Sequence, residues 1–406
     1  MIIEMKSYND KCLILVLLSV LLLNACGGGT SAGGGTGGTG IISSGSITAF
    51  GSVFVNGTEF DTSNATIIIN GEEIGFGDEF VLAYLDIGRI VTVTGTEDPN
   101  DATFVANEVN YSDSVNGPIE SIHDVDATTK EIVVLGQNVV INAITKLKGT
   151  TFDTLVLNDF VVVSGLPDDT GTVRGTFLEK TGTFIPGSMV EVTGFILNLD
   201  TGKKTFEMNS LTVHYDQIDP TLLPEGFSKG LWVEVTGALN EVGGEMMATS
   251  IELGDEIGEE DADQIEVLGF VTHIDSAFAF TVGNQRVQYD ETTLFVDGKP
   301  EDILPGTKLE SEGSLVDGTI FAEEIEFWGP DQVEVEGFVS NVASESEFTL
   351  QTPTGDQAVQ IDTEKTVFEG VAPSEIEVGM KIEVKGVPAD IDHSILFADK
   401  VSLAVN

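Results

Sequence analysis

Imidazole both ligates metals and moves protons near neutral pH, so the histidines are the first residues to test for chemistry. His123, His214, His273 and His393 lie far apart, and no H-E-x-x-H or C-x-x-C frame accompanies them. A zinc or hydrolase site needs several such groups to converge. Their spacing predicts scattered histidines, no catalytic residue and no cofactor. Carboxylates are far more numerous, with 67 Asp and Glu against 18 Lys and Arg and a net charge of −49. The densest run holds Asp255, Glu256, Glu259, Glu260, Asp261 and Asp263, oxygen donors of the kind a divalent cation such as Ca²⁺ takes. They are weak metal candidates, because no D-x-[DN]-x-[DN]-G loop orders them; Asp124-Val125-Asp126 and Asn198-Leu199-Asp200-Thr201-Gly202 are only fragments of one. Trp232 and Trp328 are weak candidates for ligand binding, as aromatic faces that could stack on a glycan. Gly29-Thr30-Ser31-Ala32-Gly33 and Gly35-Thr36-Gly37-Gly38-Thr39-Gly40 match G-x-S-x-G and G-x-G-x-x-G. Both chemistries need a strand before the motif and a helix after it, and a run of glycine supplies neither.

The acidity excludes nucleic acid and anionic membrane surfaces as direct partners, since both would be repelled. A hydrophobic content of 41% is too high for a disordered acidic tail, so most of the chain buries cores. The exception is the start. Leu13 to Leu23 is an apolar run too short for a membrane-spanning helix of about 20 residues but long enough for a secretion signal. It closes on Leu23-Asn24-Ala25-Cys26, which resembles the bacterial lipobox. That resemblance implies cleavage before Cys26, acylation of its sulfur and new amino group, and attachment to a membrane through the N-terminal lipid. Gly27 directly after the cysteine implies the outer membrane. Cys12 leaves with the signal, so the mature chain has no thiol free for a disulfide. Residues 1–25 are therefore read as a lipoprotein signal peptide and 26–44 as a lipidated, glycine-rich tether.

From Gly45 the chain repeats itself five times. Gly45, Gly117, Gly194, Gly269 and Gly337 are each followed two positions later by Ile47, Ile119, Ile196, Val271 or Val339. A second glycine recurs at Gly95, Gly165, Gly237, Gly313 and Gly386. Before it, apolar and mostly polar residues alternate with period two, for example Val91-Thr92-Val93-Thr94 and Ile382-Glu383-Val384-Lys385. That pattern predicts a strand with one face on a core and the other in water. Seven positions before the second glycine stand Gly88, Asn158, Gly230, Gly306 and Gly379. Asn is the usual substitute for Gly at a positive φ, so this column predicts a left-handed turn.

About five short strands per unit, and no helical stretch, give an all-β fold. Five tandem, small, five-stranded OB-like barrel units follow the signal peptide and the tether. The units are read as 45–111, 112–182, 183–254, 265–330 and 331–406, with an acidic linker at 255–264. The pattern G-x-[IV], F-x-[VL], T-x-[FL], G-x-x-[VIL]-x-V-x-G and A-x-x-[IV] resembles domain of unknown function 5666. It is clearest in Phe280-Thr281-Val282 with Thr293-Leu294-Phe295, and in Phe348-Thr349-Leu350 with Thr366-Val367-Phe368. The resemblance implies export and tandem barrels and brings no catalytic residue with it.

The expectation is a non-catalytic, lipid-anchored cell-envelope protein, a row of units without a shared pocket acting as spacer or interaction surface. Its partners would be the membrane and an envelope protein or glycan. The alternatives are a calcium- or glycan-binding module built on the acidic fourth unit and, third, an envelope hydrolase.

Overall fold

The computed structural model describes residues 40–50, 52–97, 104–254, 257, 261–353, 355–390 and 394–404. The stretch read as signal peptide, Cys26 and most of the stretch read as tether lie outside them. The first unit consists of β1 (Gly40–Phe50), β2 (Val53–Val55), β3 (Thr58–Asp61), β4 (Thr66–Ile69), β5 (Glu72–Phe76), α1 (Asp78–Tyr84), β6 (Ile90–Glu97) and β7 (Phe104–Tyr111). β1 pairs antiparallel with β2 and β6, β2 with β3, and β6 with β7, while β3 runs parallel to β7. These pairings close a five-stranded ring of the OB order. The β4–β5 hairpin extends it along β7. The same ring closes in the second, fourth and fifth units. In the third unit the first strand breaks at Ile196 into Ser188–Phe195 and Leu197–Asp200, and its two pieces take the two pairings.

The repeated residues are the joints of this ring. The residue two past each first-marker glycine bends the first strand, and its carbonyl accepts from the turn ahead of the fourth: Gly88 N donates to Ile47 O at 2.8 Å and Asn158 N to Ile119 O at 2.9 Å. Gly230, Gly306 and Gly379 donate to Ile196, Val271 and Val339 at 2.8 Å. All five donors have positive φ, between 68° and 94°, as the Gly/Asn column predicts. The second glycine falls at a register shift between the last two strands in every unit. A β-carbon there would come within 2.0–2.6 Å of a carbonyl oxygen across the pair, so only glycine lets the strands cross at the bulge.

The expectation of no helix fails in the first unit. α1 buries Val81 and stacks Phe80 on Tyr84, with Asp78 and Glu79 in its first turn. Two turns are too short to show a helical period, which is why the sequence hides it. The other units place single 3₁₀ turns in this part of the chain, three of them starting at Pro220, Pro300 and Pro373.

The units do not form a row. Ile41 to Ser44 of β1 pair in parallel with Gln264 to Val267 of the fourth unit, making one sheet of units one and four. Ile41 enters the first unit's core and its neighbour Ile42 the fourth's, as alternation along a strand requires. The strand thus begins at Gly40, inside the stretch read as tether, and the fourth unit's first strand, Ala262–Ser276, begins inside the stretch read as acidic linker. Units two and three share a sheet and one hydrophobic core. The described residues form one compact body. Among the described residues no helix is long and apolar enough to cross a membrane.

Candidate functional site

The fourth strand of each unit was expected to expose its polar row. In three units part of that row is buried instead, because neighbouring barrels pack on it: Ser164 is inaccessible, and Glu310 and Lys385 are 5% and 8% exposed, while Glu312 stays exposed and Glu383 half-buried. Two charged junctions result. Between units one and two, Arg89 lies 3.1 Å from Glu179, 3.5 Å from Asp86 and 3.8 Å from Asp113. Its guanidinium is also sandwiched by Tyr111 and Phe177, at 4.6 and 4.4 Å from the ring centroids. Burial raises the carboxyl of Asp113, against the hydrogen bonds it accepts from Tyr111 and Asn70.

The second junction joins units four and five to unit one. Lys385 pairs with Glu326 and, at 3.3 Å, with Glu334, and lies 4.2 Å from the centroid of Trp328. Glu310 and Glu266 hydrogen-bond to each other. Glu266 also accepts from Ser43 at 3.3 Å and Thr58 at 3.2 Å, both of the first unit. Burial pushes Glu266 up to about 7 and Glu334 up to about 8. Glu310 rises well above the carboxylate range through burial and the Glu266 carboxyl beside it. Burial opposes the charge on Lys385, but Glu334 and Glu326 outweigh it and hold the ammonium above its ordinary value.

These junctions frame a cleft of about 1050 Å³, lined by units one, two, four and five. The expectation of no shared pocket is corrected here: β1 crossing to the fourth unit folds the chain back on itself. Four lysines, Lys146, Lys148, Lys308 and Lys381, line the cleft against five acids, Glu59, Asp86, Glu334, Glu336 and Asp356. In a chain with 67 acidic and 18 basic residues this is a near-neutral island. A second cleft of about 630 Å³ lies among units one to four.

The residues singled out from sequence do not gather into one site. Cys26, Asp255, Glu256, Glu259 and Glu260 lie outside the described residues. Asp261 accepts from the backbone N–H of Asp317 at 2.9 Å, and Asp263 is exposed on its strand. Among the described residues no group of three or more His, Cys, Asp and Glu is arranged to hold a metal ion. His123, His214 and His273 sit on separate units, each beside a carboxylate of its own unit, Glu131, Glu245 and Asp275. His393 lies outside the described residues. Trp328 is not an exposed platform: it is 8% exposed, with Lys308 and Lys385 over its ring. Trp232 is half-buried, edge-on to Phe195 at 4.7 Å, and lines the smaller cleft. Arg89, Lys146, Glu266, Glu310, Glu334 and Lys385 escaped the sequence reading. Val162, apolar within an otherwise polar row, was the available sign that this row is covered; it is 9% exposed.

The model of the family described as "Domain of unknown function (DUF5666)" matches five times, over residues 39–110, 116–179, 193–252, 268–326 and 336–401. No curated protein matches the chain. Solved structures to which the chain is similar include the following two. Drosophila Unr CSD456 is 15% identical, with 52% of this chain and 96% of that one covered and a TM-score of 0.13. A multidomain protein with nucleic acid binding domains from Streptococcus pneumoniae TIGR4 is 10% identical, with 53% and 73% covered and a TM-score of 0.15.

Proposed function

Starting from the premise that the chain belongs to the DUF5666 family, with five copies of its domain, we propose that it is a non-catalytic binding body of the bacterial cell envelope. Cys26 carries the lipid that holds it to the outer membrane. The parallel pairing of β1 with the fourth unit supports a binding role over a spacer role. A spacer gains length by setting its units end to end, whereas this pairing shortens the body and encloses a cleft between four barrels. The lipobox-like Leu23-Asn24-Ala25-Cys26 supports the anchor.

Two measurements test the reading. Palmitate labelling and membrane fractionation should find the chain lipidated, and Cys26→Ser should abolish both label and sedimentation. An unlabelled wild-type chain in the soluble fraction would overturn the anchor. Small-angle scattering of the chain without its signal should give a radius of gyration of about 21 Å, the value for a compact body of this length. A markedly larger radius would restore the row of units and remove the cleft.

A further inference from the structure

The four lysines of the large cleft are not equivalent. Lys148 is paired with Asp86 at 2.9 Å and Lys381 with Glu336 at 2.9 Å. Lys308 donates to the Gln332 carbonyl at 2.8 Å and lies over Trp328. For Lys146, among the described residues, no carboxylate lies within ion-pairing distance, in a protein where acids outnumber bases almost four to one. Its stem is set into the junction of units one and two, where a β-carbon on Gly88 would come within 3.1 Å of its Cγ. Burial alone lowers its ammonium to about 8.

Nothing in the repeat asks for a lysine there. Lys146 follows Thr145, whose hydroxyl donates to the Gly175 carbonyl at 2.7 Å. Thr293 and Thr366 make the same bond to Ala322 and Ala398 in units four and five, and the residues after them are the exposed Leu294 and Val367. Unit two alone of these three spends a charge at this position, and it is the copy whose strand borders the cleft. The same cleft is also lined by the apolar Phe54, Leu166, Leu268, Trp328 and Phe338, and Phe338 remains 53% exposed. An unpaired cation beside apolar wall, in a cleft at the upper end of the roughly 300–1,000 Å³ of small-molecule sites, is complementary to one kind of ligand.

We infer that the cleft shared by units one, two, four and five binds an anionic amphiphile, a carboxylate or phosphate head on an apolar chain, with Lys146 taking the head. This rests on the binding role proposed above and names its ligand class. The chain from Gly27 onward, purified without detergent and carrying Trp232→Phe so that Trp328 reports alone, is titrated by calorimetry and fluorescence. The probes are dodecanoate, dodecyl phosphate, dodecanol and dodecyltrimethylammonium. One site with at least tenfold preference for the anions over dodecanol is expected, and the ratio of the two anions tells a fatty acid from a phosphate head. Lys146→Met should cut anion affinity at least tenfold and leave dodecanol unchanged. Lys146→Arg should restore binding, and Lys203→Met on the surface should change nothing. Equal binding of dodecanol and dodecanoate, no effect of Lys146→Met in a chain with wild-type melting, or no binding at all would overturn the inference. In that last case a radius of gyration near the compact value would leave the binding role standing, while an enlarged one would remove both.

Discussion

The Arg89 and Lys385 junctions both bury a cation among carboxylates and against aromatic rings, yet they meet the cost of burying charge differently. Arg89 reaches three carboxylates through a planar, forked group and packs both of its faces on rings, which is what a guanidinium does better than an ammonium. At the second junction Lys385 is a point charge among Glu326, Glu334 and Glu310, with Glu266 against Glu310. There the carboxylates exceed the cations that can reach them, so protons make up the difference. One junction is balanced chiefly by the geometry of a forked cation; the other is balanced by protonation.

Substitutions should separate them, beginning with the largest effect. Arg89→Met leaves the buried Asp113 without its cation, while Asp86 and Glu179 keep Lys148, and should cost about 3–5 kcal/mol in urea unfolding, by a similar amount at pH 6 and pH 8. A strong pH dependence of that loss would erase the distinction. Lys385→Met should cost about 3 kcal/mol at pH 8 but far less at pH 5, where the glutamates take up protons in place of the ammonium.

In the wild type, carboxyls whose folded-state pKa is raised add stability that is fully present below their unfolded value of about 4.3 and lost as pH rises through the folded one. With Glu266 at about 7 and Glu334 at about 8, the melting temperature should climb as pH falls from 8 to 5. Lys308, lowered by burial to about 8, acts in the opposite sense only above that pH. Glu310→Gln should add at least about 1 kcal/mol at pH 8 and flatten this slope; a destabilised, equally sloped variant would show that Glu310 is ionised in the fold. Trp328→Phe should be the mildest change, about 0.5–1 kcal/mol through the weaker attraction of a phenyl ring for Lys308 and Lys385.

What could be read beforehand was whatever each unit needs for itself. The glycine at the bulge, the Gly/Asn turn and the alternating strand all answer constraints inside one barrel, and so recur every 68 to 77 residues as a visible column. Contacts between barrels occur once each and leave no column. Glu310 and Lys385 look like solvent-facing polar residues because their strand has the right alternation, and only packing against a neighbour buries them. Lys146 was silent for the same reason: its meaning lies in a cleft that no single unit contains. Ile42 looked like the end of a tether, yet it fills the core of the fourth unit.

The strand pairing that joins Gly40–Phe50 to the fourth unit also dictates an order of events. Ser43 and Glu266, which meet across it, are 223 positions apart. During synthesis the first barrel leaves the ribosome long before its neighbour exists, and must wait with one strand edge bare. Joining partners so remote in sequence is slow and costs loop-closure entropy. A chain that lost its fourth copy would leave that edge of its first bare for good.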